Sequence, residues 1–238
     1  MEALVLAGGK PSDPLAQAFK VAAKTLIPYR GRPLVEYTLE ALTQSGLEVI
    51  FIGPKVSLYP SPQQALPDRG SLIENLEAGM AAAKGERVLV ATGDMPFLTP
   101  EAVRWVLRQA PPAGFVYCVV RKEAIEAHFP GMRRTYARVQ EGQFTGGNLA
   151  IVDKQLFYRA LPLLRRALAL RKRPLALAQL IGFGTLLRVL LGQADIPSLE
   201  ARVSQILGVP ARALITPYAE VGVDLDKEED LVWLKEPQ

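Results

Sequence analysis

The sequence predicts an α/β fold of three layers: a mixed, mostly parallel sheet with helices on both faces and a small helical and β lobe attached. Two observations carry this. Short apolar runs alternate with longer segments of helical periodicity through the first half of the chain, the order that builds a parallel sheet covered on both sides. Two of those runs end at Gly8-Gly9 and at Gly93-Asp94, and such sheets bind ligands beyond the carboxyl ends of their strands.

Each element has its own signal. Residues 3–7 are apolar throughout and read as a buried parallel strand. Residues 33–45 have helical spacing, with Pro33 at the first turn and Gly46 just past the end. Residues 48–53 are the next strand. Residues 71–84 form a helix opened by Ser71, with Glu74 three residues on, a capping box. Residues 87–92 are the third strand. Residues 99–110 form a helix with Thr99 as cap, Pro100 at its first position and Glu101 complementing the dipole. Residues 115–120 are the fourth strand. Beyond residue 128 the pattern changes: residues 135–152 read as two strands around a glycine-rich turn. Residues 153–208 are helical in pattern, with breaks at Pro174, at 182–184 and at Pro197. Residues 211–216 and 221–226 read as late strands and residues 227–235 as a final helix.

Composition narrows the chemistry. The 238 residues are 49% apolar and 22% charged, those of an ordinary globular protein. The net charge of +4 suits phosphate-rich ligands, but it is too small and scattered to argue for nucleic acid. With one cysteine, Cys118, and one histidine, His128, a Cys/His zinc site is excluded and a Ser-His-Asp triad is disfavoured. The chemistry must run on carboxylates, lysines, backbone amides and a hard metal. No basic leader precedes the first strand and no apolar run reaches the roughly 20 residues of a membrane span, so the expected location is the cytoplasm.

The strongest motif is the opening: Leu6-Ala7-Gly8-Gly9 at a strand end, then Lys24 followed by Leu26, Pro28, Gly31, Pro33 and Leu34. Adjacent glycines let a backbone approach a nucleotide and cradle its phosphates. The spacing is neither a P-loop nor a GxGxxG fingerprint. It resembles the opening of nucleotidyltransferases with a GT-A-like, Rossmann-like fold, a superfamily that includes sugar-phosphate nucleotidyltransferases and MobA-like enzymes. Three more segments are similar. Residues 69–83 resemble the part that touches base and ribose, with Ser71 in the contacting position. Gly93-Asp94-Met95-Pro96 resembles the family's metal-binding Gly-Asp-x-Pro turn. Residues 221–231 resemble the C-terminal segment that carries a second metal ligand, Asp226 first and Asp224 next. Many relatives carry an arginine shortly after the two glycines; this loop has none, and Lys10 or Lys20 stands in its place.

The resemblance implies an Mg²⁺-dependent (or Mn²⁺-dependent) nucleotidyltransferase that takes an NTP and a small phosphorylated acceptor. Lys24 and Asp94 would be catalytic. Leu6, Ala7, Gly8, Gly9, Lys10, Lys24, Ser71 and Asp94 would bind the nucleotide; Asp94, Asp226 and Asp224 would bind the metal. Gly147 and Asn148, with Arg133 and Arg134 just upstream, are the expected acceptor residues, because glycine permits close approach and arginines clamp phosphate. The expected organisation is a nucleotide-binding half over 1–128, an acceptor lobe over 129–210, and a C-terminal strand and helix over 211–238 that return to the first half, one compact domain overall. The leucine-rich stretch 156–191 with its basic run reads as a helical lobe that closes over the acceptor or forms a homodimer; a membrane-surface helix is the other reading. Nucleotidyl transfer needs a cation and a lysine but no side-chain nucleophile, which suits this composition. A glycosyltransferase using a nucleotide-sugar and a non-catalytic nucleotide-binding regulator remain as alternatives.

Overall fold

A computed structural model describes residues 1–9, 12–170 and 182–234. Its central sheet has eight strands. These are β1 (Glu2–Leu6), β4 (Glu48–Gly53), β5 (Gln64–Pro67), β6 (Arg87–Thr92), β7 (Phe115–Arg121), β8 (Ala137–Val139), β9 (Gly142–Asp153) and β10 (Ala211–Thr216). Seven lie in the order β10-β7-β9-β6-β1-β4-β5, and β8 pairs with β9. The pairs β1–β4, β1–β6, β4–β5 and β7–β10 are parallel; β9 runs antiparallel to both β6 and β7. The carboxyl ends of β1, β4, β6, β7 and β10 therefore share one edge, the place where such sheets bind ligands.

The sheet is covered on both sides, as its apolar strands require. In β1, Ala3 and Val5 face one core while Leu4 faces the other. The first core is closed by α2 (Leu34–Gln44), α4 (Pro100–Gln109) and α5 (Lys122–His128), through Val35, Leu39, Val103, Val106 and Ile125. The second is closed by α3 (Leu72–Ala82) and α6 (Lys154–Leu170), through Met80 and Phe157. The expected caps form. Ser71 Oγ accepts from Glu74 N at 3.3 Å, and Thr99 Oγ1 accepts from Ala102 N at 3.2 Å.

Several expectations are corrected. Gly146-Gly147 is not a turn but lies inside β9, where the pairing with β7 shifts register between Tyr117 and Val119; the reversal comes earlier, between β8 and Gly142. Residues 221–226 are not a strand. They continue a 3₁₀ turn at Ala219–Gly222 into an extended segment whose Leu225 N–H bonds Asp94 O at 3.0 Å instead of a neighbouring strand. The final helix is a 3₁₀ segment, Glu228–Leu234. The structure also adds α1 (Pro14–Ala18), the two-residue strands β2 (Pro28–Tyr29) and β3 (Arg32–Pro33), β5 and α5. The β2–β3 hairpin turns through Arg30 and Gly31, both at positive φ, the geometry of a tight hairpin. Within 153–208, helices span Lys154–Leu170, Phe183–Leu190 and Ile196–Leu207. Pro174 and the last three residues of the basic run, 171–173, lie outside the described residues. No described helix is long and apolar enough to cross a membrane.

Two consequences can be measured. Gly79 of α3 lies on Leu4, and a Cβ there would overlap both Leu4 δ-carbons. Gly79→Ala should therefore destabilise by about 1–3 kcal/mol through overpacking, against the gain of about 1 kcal/mol that alanine brings to an open helix. A urea midpoint that rises in the variant would contradict this packing. Burial also pushes the Cys118 thiol up to about 12. Cys118 should react with a thiol reagent at neutral pH only when the protein unfolds, read by labelling with and without denaturant.

Candidate active site

The cleft begins at the end of β1. Ala7 is wholly buried and held by its backbone. Its N–H donates to Ile52 O at 2.8 Å and its carbonyl accepts from Thr25 Oγ1 at 3.0 Å. Leu6, Gly8 and Gly9 line a cleft of about 630 Å³ together with Lys24, Asp68, Ser71, Asn75, Thr92 and Asp94. The glycine turn rests on a small polar brace. Asp68 accepts from Gly9 N at 3.1 Å, from Gly70 N at 2.8 Å and from Asn75 Nδ2 at 2.9 Å, and Asn75 Oδ1 accepts from Arg69 N at 2.7 Å. A Cβ on Gly8 would meet Asn75 Nδ2 at 2.6 Å and Asp68 Oδ2 at 2.8 Å, so only glycine fits against this brace. Partial burial works against the Asp68 charge, but these hydrogen bonds outweigh it and hold the carboxyl below the usual range.

Lys24 stands at the centre. Its Nζ lies 2.9 Å from Asp94 Oδ2 and 2.9 Å from Asp226 Oδ1. Asp94 and Lys24 are largely buried, whereas the Asp226 side chain is 60% exposed. Burial pulls the Lys24 ammonium down, yet Asp94 and then Asp226 overcome it and raise it well above the ordinary lysine value. The Lys24 hydrogen bond holds the Asp226 carboxyl low. Asp224 is placed differently. Arg134 Nη1 donates to its Oδ1 at 2.8 Å and Nη2 donates to its carbonyl. Burial, and then the nearby Asp94 charge, push Asp224 up despite that arginine.

Among the described residues the buried polar atoms without partners include Asp94 Oδ1 and Thr92 Oγ1 in the cleft and Asn148 Nδ2 and Arg134 Nε on the elements that border it; Arg87 Nε and Tyr136 Oη lie elsewhere. Ala91 of β6 pairs with Leu149 of β9, so Thr92 and Asn148 are the adjoining positions at the ligand edge. Orphaned buried polar groups are rare in folded proteins, and strain, a catalytic role, or a bound water or ion accounts for them where they occur. The donor set fits a hard divalent cation. Asp94 has a free carboxylate oxygen, Asp226 has an open one, and Mg²⁺ takes one or two carboxylates plus ligand oxygens. Among the described residues no group of three or more acidic, cysteine or histidine ligands forms.

The structure thus brings Leu6, Gly8, Gly9, Lys24, Ser71 and Asp94 around one cleft, with Asp226 reaching its centre. Ala7 supports them from within the sheet. Lys10 lies outside the described residues. Asn148 borders the site, while Gly147 packs on the neighbouring strand, where a Cβ would meet Cys118 O at 2.7 Å. Arg133 and Arg134 diverge: Arg133 is 80% exposed and pairs with Glu229 at 3.6 Å, and Arg134 grips Asp224. Sequence reasoning missed Asp68, Asn75 and Thr92. An aspartate two residues before a glycine at a helix start was the one available signal for the first.

The family model described as the MobA-like NTP transferase domain matches residues 3–178. A structure described as a hypothetical transferase from Thermus thermophilus is 58% identical, covers 97% of this chain and 100% of its own, and superposes with a TM-score of 0.92. A probable molybdenum cofactor guanylyltransferase of Methanosarcina mazei is 28% identical over 123 residues, 45% of this chain. That match spans about half of the curated relative's length, 52%. The 2-C-methyl-D-erythritol 4-phosphate cytidylyltransferase of Thermus thermophilus, at 18% identity with 99% and 96% of the two chains covered, shares the fold with a TM-score of 0.56.

Removing the central cation leaves Asp94 buried without a counter-charge. Lys24→Met should lower the stability of the ligand-free protein by about 1–3 kcal/mol, most of it from Asp94 because Asp226 is exposed. Unchanged denaturant midpoints would show that the triad contributes nothing to folding.

Proposed function

The chain belongs to the MobA-like NTP transferase family, and from that premise we propose that it transfers a nucleoside monophosphate from an NTP to a small phosphorylated acceptor. The observation that carries this reading is the meeting of Asp94 and Asp226 at the Lys24 ammonium, within a cleft bordered by the Gly8-Gly9 turn. An acceptor oxygen attacks the α-phosphorus. The bond from that phosphorus to the β-bridging oxygen breaks, and pyrophosphate leaves with the electron pair. An ionised phosphate oxygen needs no general base, which suits a cleft whose described lining holds no histidine and no cysteine.

Each residue then has a task. Asp94 and Asp226 would hold Mg²⁺ or Mn²⁺, which when bound would neutralise charge on the transferring phosphoryl group. Lys24 moves from the two carboxylates to the triphosphate as negative charge arrives there. The backbone at Gly8 and Gly9 approaches the nucleotide, with Leu6 and Ser71 on the walls of the same cleft. Asn148 and Arg134 offer buried donors, Nδ2 and Nε, to the acceptor side, with Gly147 beside them and Arg133 at the rim. Asp224 keeps Arg134 in place rather than binding metal. GTP is the first donor to try, because the Methanosarcina mazei relative is described as a guanylyltransferase.

Stabilisation by GTP, CTP, ATP or UTP should require Mg²⁺ and should vanish in Asp94→Asn, read as a melting shift. Pyrophosphate release should fall by about 100-fold or more in that variant. If no NTP stabilises either protein, the transfer reading is lost. A second outcome follows from the triad itself. Because the ammonium occupies the space between the carboxylates, Lys24→Met is expected to bind free Mg²⁺ more tightly than wild type by calorimetry; equal affinities would remove Asp94 and Asp226 as the metal site.

A further inference from the structure

A second cavity lies next to the catalytic edge and is used by nothing described above. It holds about 290 Å³ between the sheet and the helix Ile196–Leu207, close to the lower end of the range for small-molecule sites, about 300–1,000 Å³. Its walls include Tyr117, Val119, Phe144, Leu199, Val203 and Ala213. Its charged members are satisfied by one another: Arg212 Nε lies 3.8 Å from Glu200 Oε2, and Glu200 Oε1 accepts from Ala213 N at 2.8 Å. What faces the space is apolar.

Strand β9 connects this cavity to the proposed acceptor side. Phe144 and Gly146 wall the cavity, and Asn148, with its unpartnered buried Nδ2, lies two residues further along. At about 3.3 Å per residue that is a step of roughly 7 Å. Tyr117 marks the border. Its hydroxyl lies over Gly146, where any Cβ would overlap it. Burial raises that hydroxyl's pKa, and the charges of Cys118 and then Asp224 add to the effect. The cavity floor and the catalytic edge are thus two stretches of one strand.

We infer that the acceptor is an amphiphile, a phosphate ester whose hydrocarbon body lies in this cavity while its phosphate reaches the Asn148 and Arg134 side. The inference rests on the nucleotidyl-transfer reading for the role of the ligand, and on the cavity alone for its apolar character. A compact polar acceptor such as a sugar phosphate would leave the cavity unused.

The test is a calorimetric titration of wild type with n-alkyl phosphates from ethyl to octyl, below their micelle concentrations. Affinity should rise by up to about fourfold per methylene and by at least ~100-fold across the series. Val203→Trp, on the half-exposed helix wall, and Ala137→Phe, from the exposed face of β8, each fill the cavity. Either should flatten the series while leaving the melting shift with NTP and Mg²⁺ unchanged. Affinity independent of chain length in wild type, or a series that stays steep in both filled variants, overturns the inference. The nucleotide shift, recorded on the same samples, separates the two readings. Its loss with a steep series sinks nucleotidyl transfer and keeps an apolar phosphate site; its presence with a flat series does the reverse.

Discussion

One ammonium group joins three parts of the chain that are far apart in sequence. Lys24 follows the loop after β1, Asp94 ends β6, and Asp226 lies in the last segment, 202 residues from the lysine. Asp94, Asp224 and Asp226 bring like charges together at a partly buried place, and burial with the Asp94 charge already pushes Asp224 up. Such crowding is stable only with cations among the carboxylates. Lys24 serves two of them and Arg134 the third. The shape of the C-terminal segment follows from this demand: Leu225 N–H bonds Asp94 O, which holds the segment against the strand end and out of the sheet.

The reversed strand β9 is the second determinant. Lying antiparallel between β6 and β7, it starts at the ligand edge where they end. A parallel strand in that place would put its first residues at the far edge. The register shift opposite Tyr117 and Val119 accommodates Gly147 against Cys118, and the unbroken β6–β9 register sets Asn148 beside the end of β6. On the proposed reading, donor side and acceptor side therefore share one edge of one sheet without a hinge between them.

Much of this was legible in the sequence, for identifiable reasons. Strands β1, β4, β6 and β7 are apolar runs bounded by turn residues, and Ser71 and Thr99 announce their helices by capping chemistry. Lys24 and Asp94 were readable through the motifs that carry the resemblance, Lys24 ahead of Leu26, Pro28, Gly31 and Pro33, and Asp94 in Gly-Asp-x-Pro. What escaped was mostly held by few contacts. Strand β5 pairs on one side only and is largely exposed, with prolines nearby, so it lacks the apolar run that betrays a buried strand. The hairpin strands are two residues each, too short for any periodicity. Residues 221–226 failed the other way. Val221, Val223 and Leu225 are buried at alternate positions, and alternation is also what a strand would produce. Asp68 and Asn75 act through a brace that only the folded loop assembles.

The protein faces a general difficulty of anion-binding catalysts. A site for a triphosphate and its metal needs carboxylates for the cation and a cation for the phosphates, and both must survive when no ligand is present. Left apart, buried Asp94 would carry an uncompensated charge, and Lys24 would lose hydration with nothing in return. Pairing them in the ligand-free protein removes both penalties, because each is the counter-ion of the other at 2.9 Å. On the proposed reading, ligand arrival would exchange partners and add no unpaired charge: Asp94 and Asp226 would give up the ammonium to hold the cation, and Lys24 would turn to the phosphates. Neither the metal nor the nucleotide alone completes that exchange, since the first would leave Lys24 stranded and the second would leave Asp94 bare. On that reading, the same ion pair that supports the ligand-free fold would favour joint binding of metal and nucleotide over binding of either one.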